Sequence, residues 1–368
     1  MRSNLKKITL KGFKTIQSLE NFEPGRLTAL IGPNSVGKSN FISFFRMMSW
    51  ALSAPGNLEL FVSQKGGAST LLHDGPARTR EIETEITLHT DVGVNQYAFR
   101  LFFAAGDTLI FADERYRFSS FKYSTTSRWT ETRAGHHDPQ LPILAAEDTT
   151  ARVIRDILRK IVVYQFHNTS DTARIRSKWP MHDNRWLKED AANIAPVLLR
   201  LRENDGKCYQ RIVDTIRLIV PFFSDFELEP QYDSLLLGWR ERNSDQVFSV
   251  SQASDGMLRI IALVTLLLQP EQDLPDVLIL DEPELGLHPY AINIVGGLIR
   301  AVSTRIQVIL ATQSMPLVDC FEPEDIVVVE RDGRSSTFKR LDSESLGGWL
   351  ENYSISELWE KNVLGGRP

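Results

Sequence analysis

The chain has 368 residues, 42% of them hydrophobic and 24% charged, with a formal net charge of −5. This is ordinary globular composition, enough for one large α/β domain with an insertion or for two modest domains. The acidic balance is unlike that of a constitutive nucleic-acid binder, and the two widely spaced cysteines, Cys208 and Cys320, argue against a disulfide framework or a cysteine-ligated metal and fit a reducing cytosol.

The opening segment MRSNLKKITLKGF lacks the apolar core and cleavage site of a signal peptide. Its Leu5 to Phe13 stretch alternates loosely and ends at Gly12-Phe13, as an edge strand would. Leu27 to Ile31 is a short apolar run followed by a Gly-containing loop and an amphipathic stretch, Ser39 to Leu52, which reads as strand, loop, helix. Residues 81–89 alternate strictly, and Tyr97, Phe99, Leu101 and Phe103 alternate again, so antiparallel strands are expected near 80–120. From 119 to 150 no period is visible and a loop is expected. Ala151 to Lys160 has helical spacing, and Ile161 to Tyr164 reads as a strand.

Residues 167–185 are polar. Leu187 to Arg202 and Lys207 to Val220 read as helices separated by Asn204-Asp205-Gly206, with Pro221 ending the second. Heptads are not sustained, which excludes a long coiled-coil arm. Strand-like alternation returns over 226–250. The last third is the most regular: helix 255–268, strand 277–280, helix 289–302, strand 306–311 and strand 326–329, a pattern of buried parallel sheet. The longest apolar run, Ile260 to Leu268, is too short to cross a bilayer, so a cytoplasmic protein without a membrane segment is expected.

Gly32-Pro-Asn-Ser-Val-Gly37-Lys38-Ser39 fits the phosphate-binding pattern G-x-x-x-x-G-K-[ST]. Glycines permit turns that aim backbone N–H groups at phosphate, Lys38 would reach the β- and γ-phosphate oxygens, and the Ser39 hydroxyl would bind Mg²⁺. Asn34, Ser35, Val36, Gly37, Lys38, Ser39 and Asn40 form the expected nucleotide-binding set. Val277 to Leu280 is a buried strand ending in Asp281-Glu282-Pro283. Consecutive carboxylates at a strand end face opposite ways, which suits Asp281 to hold Mg²⁺ and Glu282 to polarise the attacking water.

With Ser251-Gln-Ala-Ser254-Asp255-Gly256-Met-Leu-Arg259 between them, these segments resemble the hallmarks of ABC-type ATPases. The run Asp-Glu-Pro-Glu-Leu-Gly-Leu-His-Pro resembles the soluble SMC/RecF/OLD-like branch. The resemblance implies an α/β P-loop NTPase fold: an ABC-ATPase head (1–165 and 226–340) with a mixed parallel sheet and an antiparallel β subdomain, a helical insertion (166–225) and a C-terminal helical tail (341–368). It implies ATP and Mg²⁺ as ligands and a homodimer with ATP at the interface, in which Ser254 and Gly256 contact the γ-phosphate of the other copy. It also implies ATP hydrolysis controlling a partner, such as a separate nuclease, in DNA maintenance or anti-phage defence. A nucleotide-dependent sensor with little turnover and a transporter motor are the alternatives. After the last strand only about 40 residues remain, too few for another catalytic domain.

Gln313 stands where many relatives carry a switch histidine and is the second catalytic candidate. It can hydrogen-bond but cannot take up a proton at neutral pH. The sensor-loop polar residue is Gln64 or His73. Phe13 and Lys14 are candidates for base stacking, with Phe13 alternatively core. His288 is a dimer-contact residue or a turn residue before Pro289. Phe166 to Ser170 is an effector contact or a solvated loop, and Arg174, Arg176, Lys178 and Arg185 form the one local basic cluster nominated for nucleic acid, alternatively a polar loop. The tail residues Trp349, Leu350, Tyr353, Ile355, Leu358 and Trp359 pack on the body or meet a partner.

Overall fold

A computed structural model of the protein describes residues 2–123 and 127–366; residues 124–126 of the expected loop and 367–368 of the tail lie outside it. The chain opens with β1 (Ser3–Phe13), β2 (Ile16–Phe22) and β3 (Leu27–Ile31), then α1 (Lys38–Ser53) and α2 (Asn57–Gln64). β4 (Glu81–Thr90), β5 (Gly93–Ala104), β6 (Thr108–Ser120) and β7 (Thr130–Glu131) follow, then α3 (Leu141–Leu144), α4 (Thr149–Leu158) and β8 (Ile161–Tyr164). The middle holds β9 (Trp179–Pro180), α5 (Ile194–Asn204), α6 (Gly206–Ile219), β10 (Phe223–Glu227), β11 (Ser234–Leu235), β12 (Gly238–Glu241) and β13 (Val247–Ser249). The last third is α7 (Asp255–Leu268), β14 (Val277–Asp281), α8 (Pro289–Ser303), β15 (Gln307–Ala311), α9 (Met315–Val318), β16 (Ile326–Asp332), β17 (Ser335–Arg340), α10 (Ser343–Leu346) and α11 (Ile355–Glu360).

A six-stranded sheet in the order β17-β16-β3-β15-β14-β8 is parallel throughout except for the β16–β17 hairpin. Strands β3, β8, β14 and β15 are largely apolar because both faces are covered, whereas β17 and the end of β16 are polar. Val277, Ile279, Ile309 and Ala311 turn towards α1, and Leu278, Leu280, Val308 and Leu310 turn the other way, towards α5 to α8. A second six-stranded sheet, β2-β1-β4-β5-β6-β7, is antiparallel and closes over α1, whose Phe41, Phe44, Phe45, Met47 and Met48 are buried between the two sheets.

Several expectations are corrected. The first strand is not an edge: β1 pairs with β2 on one side and β4 on the other. Residues 119–150 are not all loop, since β7, α3 and the start of α4 fall there. The helix expected from Leu187 begins only at Ile194, because buried Asn193 captures the preceding backbone: its Oδ1 accepts from Lys188 N (2.9 Å) and its Nδ2 donates to Asp183 O (2.9 Å) and Trp186 O (2.7 Å). In the tail, Ile355, Leu358 and Trp359 are buried in the core, the Ser356 hydroxyl donates to Asp319 (2.6 Å), and Trp349 is half exposed. No helix among the described residues is long and apolar enough to cross a membrane.

Candidate functional site at the ends of the parallel strands

The loop after β3 owes its shape to three backbone positions. Gly32 has φ +145°, and a Cβ there would stand 2.2 Å from Val329 O in β16. Gly37 has φ +122°, and a Cβ would stand 2.2 Å from Ser336 Oγ and 2.8 Å from Thr15 Oγ1. Between them Ser35 adopts φ +65°. A hydroxyl cluster buttresses the turn: Ser336 Oγ lies 2.5 Å from Val36 O and 2.7 Å from Thr15 Oγ1, and Asn40 Nδ2 donates to Thr15 Oγ1 (2.8 Å). Helix α1 starts at Lys38 with no side-chain cap and no acidic residue in its first turn, so its free N–H groups and positive dipole end face the loop.

Lys38 Nζ donates to the carbonyls of Gly32 (2.5 Å) and Pro33 (2.8 Å). Burial lowers its ammonium from 10.5 to about 8, against the raising pull of Glu282, Asp281 and Glu284. Asp281, buried at the end of β14, lies with Oδ1 3.4 Å from Ser39 Oγ. Its carboxyl is raised by burial and by Glu282, with His167, Arg46 and Ser39 opposing. Glu282 adopts φ +45°, a left-handed backbone rare outside glycine. That turn directs its side chain to Gln313, whose Nε2 donates to Glu282 Oε1 (2.8 Å) and Asn34 Oδ1 (2.6 Å). Lys38, Ser39, Asp281, Glu282 and Gln313 thus meet where β3, β14 and β15 end. The hydroxyl and carboxylate oxygens of Ser39 and Asp281 are hard donors that suit Mg²⁺.

The structure adds Gln165, which sequence reading missed, and sets His167, expected in an effector contact or a solvated loop, against Asp281. Gln165, immediately after β8, donates from Nε2 to Asp281 Oδ2 (3.2 Å), and Arg46 donates to its Oε1 (2.9 Å). His167 Nε2 lies 2.9 Å from Asp281 O and its Nδ1 lies 2.9 Å from Gln165 Nε2. Because a carbonyl only accepts, Nε2 carries the hydrogen and Nδ1 accepts the amide. Neither Gln64 nor His73 takes that place: Gln64 is exposed at the end of α2, and buried His73 sets Nδ1 2.8 Å from Lys14 O. Phe13 is fully buried against Phe44, which removes it from base stacking, and Lys14 donates to Ser43 Oγ (3.0 Å).

Ser254 caps α7, accepting from Met257 N (3.3 Å), and Gly256 lies one step into the helix. Among the described residues no hydrogen bond joins Ser254 or Gly256 to residues 32–39. Two arginines instead tie this segment to the loop after β8. Arg259 Nε donates to Phe166 O (3.2 Å), its two terminal nitrogens to Leu285 O (3.0 Å) and His167 O (3.0 Å). Gly286 accommodates it, since a Cβ there would meet Arg259 Nη1 at 2.3 Å. Arg176 reaches Thr169 O (2.8 Å), Val250 O (2.6 Å), Ala253 O (3.1 Å) and Asp255 (3.1 Å). The nominated basic cluster is therefore largely engaged within the protein: Arg174 pairs with Asp190 (2.9 Å), Lys178 donates to Gln231 (2.7 Å) and Arg185 stacks on Trp186. His288 caps α8, accepting from Tyr290 N (3.3 Å), and Leu285 and Tyr290 beside it are exposed.

The family described as AAA domain, putative AbiEii toxin, Type IV TA system matches residues 27–319, a span holding Lys38, Ser39, Gln165, Asp281, Glu282 and Gln313. No curated protein sequence matches the chain. Solved structures that share its fold include three SMC heads. An Smc head bound to the C-winged helix domain of ScpA superposes with TM-score 0.62 at 16% identity, over 93% of this chain and 98% of that one. The SMC head domain from Thermotoga maritima gives 0.51 at 16%, over 93% and 100%. The Smc head domain with an extended coiled coil, bound to the C-terminal domain of ScpA derived from Pyrococcus furiosus, gives 0.59 at 14%, over 95% and 99%.

Proposed function

The chain belongs to the AAA-domain family described above and has the fold of an SMC-head ABC-type ATPase, and from that premise we propose that it binds Mg·ATP at the Gly32–Ser39 loop, hydrolyses it, and works as a nucleotide-clasped homodimer. The observation that carries this reading is the convergence of Lys38, Ser39, Asp281, Glu282 and Gln313 at one sheet end, while Ser254 and Gly256 stand apart on α7. A single copy therefore presents half of the phosphate contacts, and Ser254 and Gly256 of a second copy supply the rest.

Two of the three Lys38 donors are held by Gly32 O and Pro33 O, and the third is left for a phosphate oxygen. Ser39 and Asp281 would hold Mg²⁺, which when bound neutralises developing phosphate charge. Glu282 acts as the base that orients and deprotonates the attacking water. Gln313, donating to Glu282, holds that carboxylate in place without taking up a proton, which favours slow turnover. The toxin–antitoxin wording of the family description supports a role in prokaryotic defence, exercised in the cytoplasm through a separate effector such as a nuclease. The SMC heads solved with ScpA support control of a partner by head closure.

Light scattering on Glu282→Gln, with and without Mg·ATP, tests the dimer. The expected result is a mass that doubles only with nucleotide. An unchanged monomer mass at saturating nucleotide refutes the clasp, and Lys38→Ala with undiminished ATP affinity refutes the binding site.

A further inference from the structure

Glu284 lies two residues beyond Glu282, after Pro283, and is only 8% exposed. A carboxylate so far from water is costly unless its oxygens are satisfied. Only one of them is. Oε1 accepts from Thr312 Oγ1 (2.5 Å) and from Gln313 N (3.2 Å), while Oε2 is buried with no hydrogen-bond partner among the described residues. Burial pushes this carboxyl up, with the Thr312 and Gln313 donors opposing. An apolar residue would avoid that cost, so what the carboxylate holds must matter more than its own solvation.

What it holds is the turn after β15. Thr312 N is fixed to Leu30 O (3.0 Å), and Thr312 Oγ1, while donating to Glu284, accepts from Ser314 N (2.9 Å). Gln313 N, between them, turns inward to the same Glu284 oxygen. The Gln313 side chain is thereby projected across the site, where both amide hydrogens are used, one on Glu282 and one on Asn34. We infer that Glu284 is a positioning residue of the hydrolytic centre: it fixes the Thr312–Gln313 turn so that the Gln313 amide holds the Glu282 carboxylate. The kinetic consequence rests on the ATPase reading; the geometric one does not.

The test uses the full chain and two readouts. The first is the Gln313 side-chain amide signal in ¹⁵N-glutamine protein, identified by its loss in Gln313→Ala. In Glu284→Ala it moves to the position of a solvated amide, and in Glu284→Gln, whose side-chain oxygen still accepts from Thr312 and Gln313, it stays. The second is steady-state ATP turnover: Glu284→Ala lowers kcat at least tenfold with KM changed less than threefold, and Glu284→Gln recovers kcat to within threefold of wild type. The double variant Glu284→Ala/Gln313→Ala is no slower than Gln313→Ala alone, because one residue acts through the other. An amide signal unmoved in Glu284→Ala overturns the inference whatever the turnover, as does full multiplication of the two kcat losses. A signal that moves in Glu284→Ala, together with a wild-type protein that does not turn over ATP, supports the positioning and overturns the hydrolysis reading.

Discussion

Arg259 is the residue through which the Ser254–Gly256 segment should feel Asp281, the carboxylate proposed to hold Mg²⁺. Its guanidinium spans three backbone carbonyls, Phe166, His167 and Leu285, at 3.0–3.2 Å, and His167 in turn contacts Asp281. Replacing it by alanine strands those carbonyls. The site is half buried and water reaches part of it, so about 1 kcal/mol for each, roughly 3 kcal/mol in all, is expected. For a chain of 368 residues an unfolding entropy of about 2.1 cal/mol/K per residue converts this to a fall in Tm of about 4 °C. Lysine keeps the charge but is a compact point donor that cannot bridge Leu285 and the Phe166–His167 pair together, so Arg259→Lys should lose most of the same stability. The phosphate loop is untouched, and ATP affinity should stay within threefold. Turnover should fall at least tenfold, because the helix bearing Ser254 and Gly256 is no longer registered against the segment after Glu282. Scanning calorimetry, equilibrium binding of a fluorescent ATP analogue and steady-state turnover at saturating Mg·ATP measure the three quantities. Wild-type Tm and turnover in Arg259→Lys, or a loss of ATP affinity in place of turnover in Arg259→Ala, would refute the reasoning.

Two further outcomes follow from the loop itself. The Lys38 ammonium falls from 10.5 to about 8 on folding. The unfolded chain therefore binds more protons across that window, so this lysine's contribution to stability is least favourable below pH 8 and improves as pH rises towards 10.5, by at most about 1.4 kcal/mol per pH unit. The urea-midpoint difference between wild type and Lys38→Met should change in that direction between pH 7.5 and 9.5; a constant difference refutes it. Gly32→Ala places its Cβ against the backbone of β16 and should cost more than the roughly 1–3 kcal/mol of a left-handed non-glycine residue alone. Gly56→Ala, with φ +78° but open space around its Cβ, should cost only the backbone part; equal Tm losses in the two would contradict the steric account.

What the chain's linear order determined about this protein is whatever is written in contiguous residues. Glycines five positions apart followed by Lys38-Ser39, a run of apolar residues ending in Asp281-Glu282, and Ser254 ahead of an apolar helix are local patterns, and the corresponding strands and helices form where the patterns lie. A buried parallel strand also needs apolar residues on both faces, which is why β14, β15 and β16 were legible, whereas the short α9 and the polar β17 were not. Tertiary structure decided the neighbours. Gln165 is 116 residues from Asp281 and meets it only because β8 docks beside β14, a pairing that no local period encodes. Thr15 and Ser336 shape the phosphate loop from 321 residues apart. Arg176 resembles a surface cation in sequence and becomes a clamp on the α7 segment because the loop carrying it folds inward. The same holds for Glu284, whose meaning depends on the turn after β15: hydrogen bonds between distant segments are set by how sheets and helices pack, and packing is a property of the whole chain.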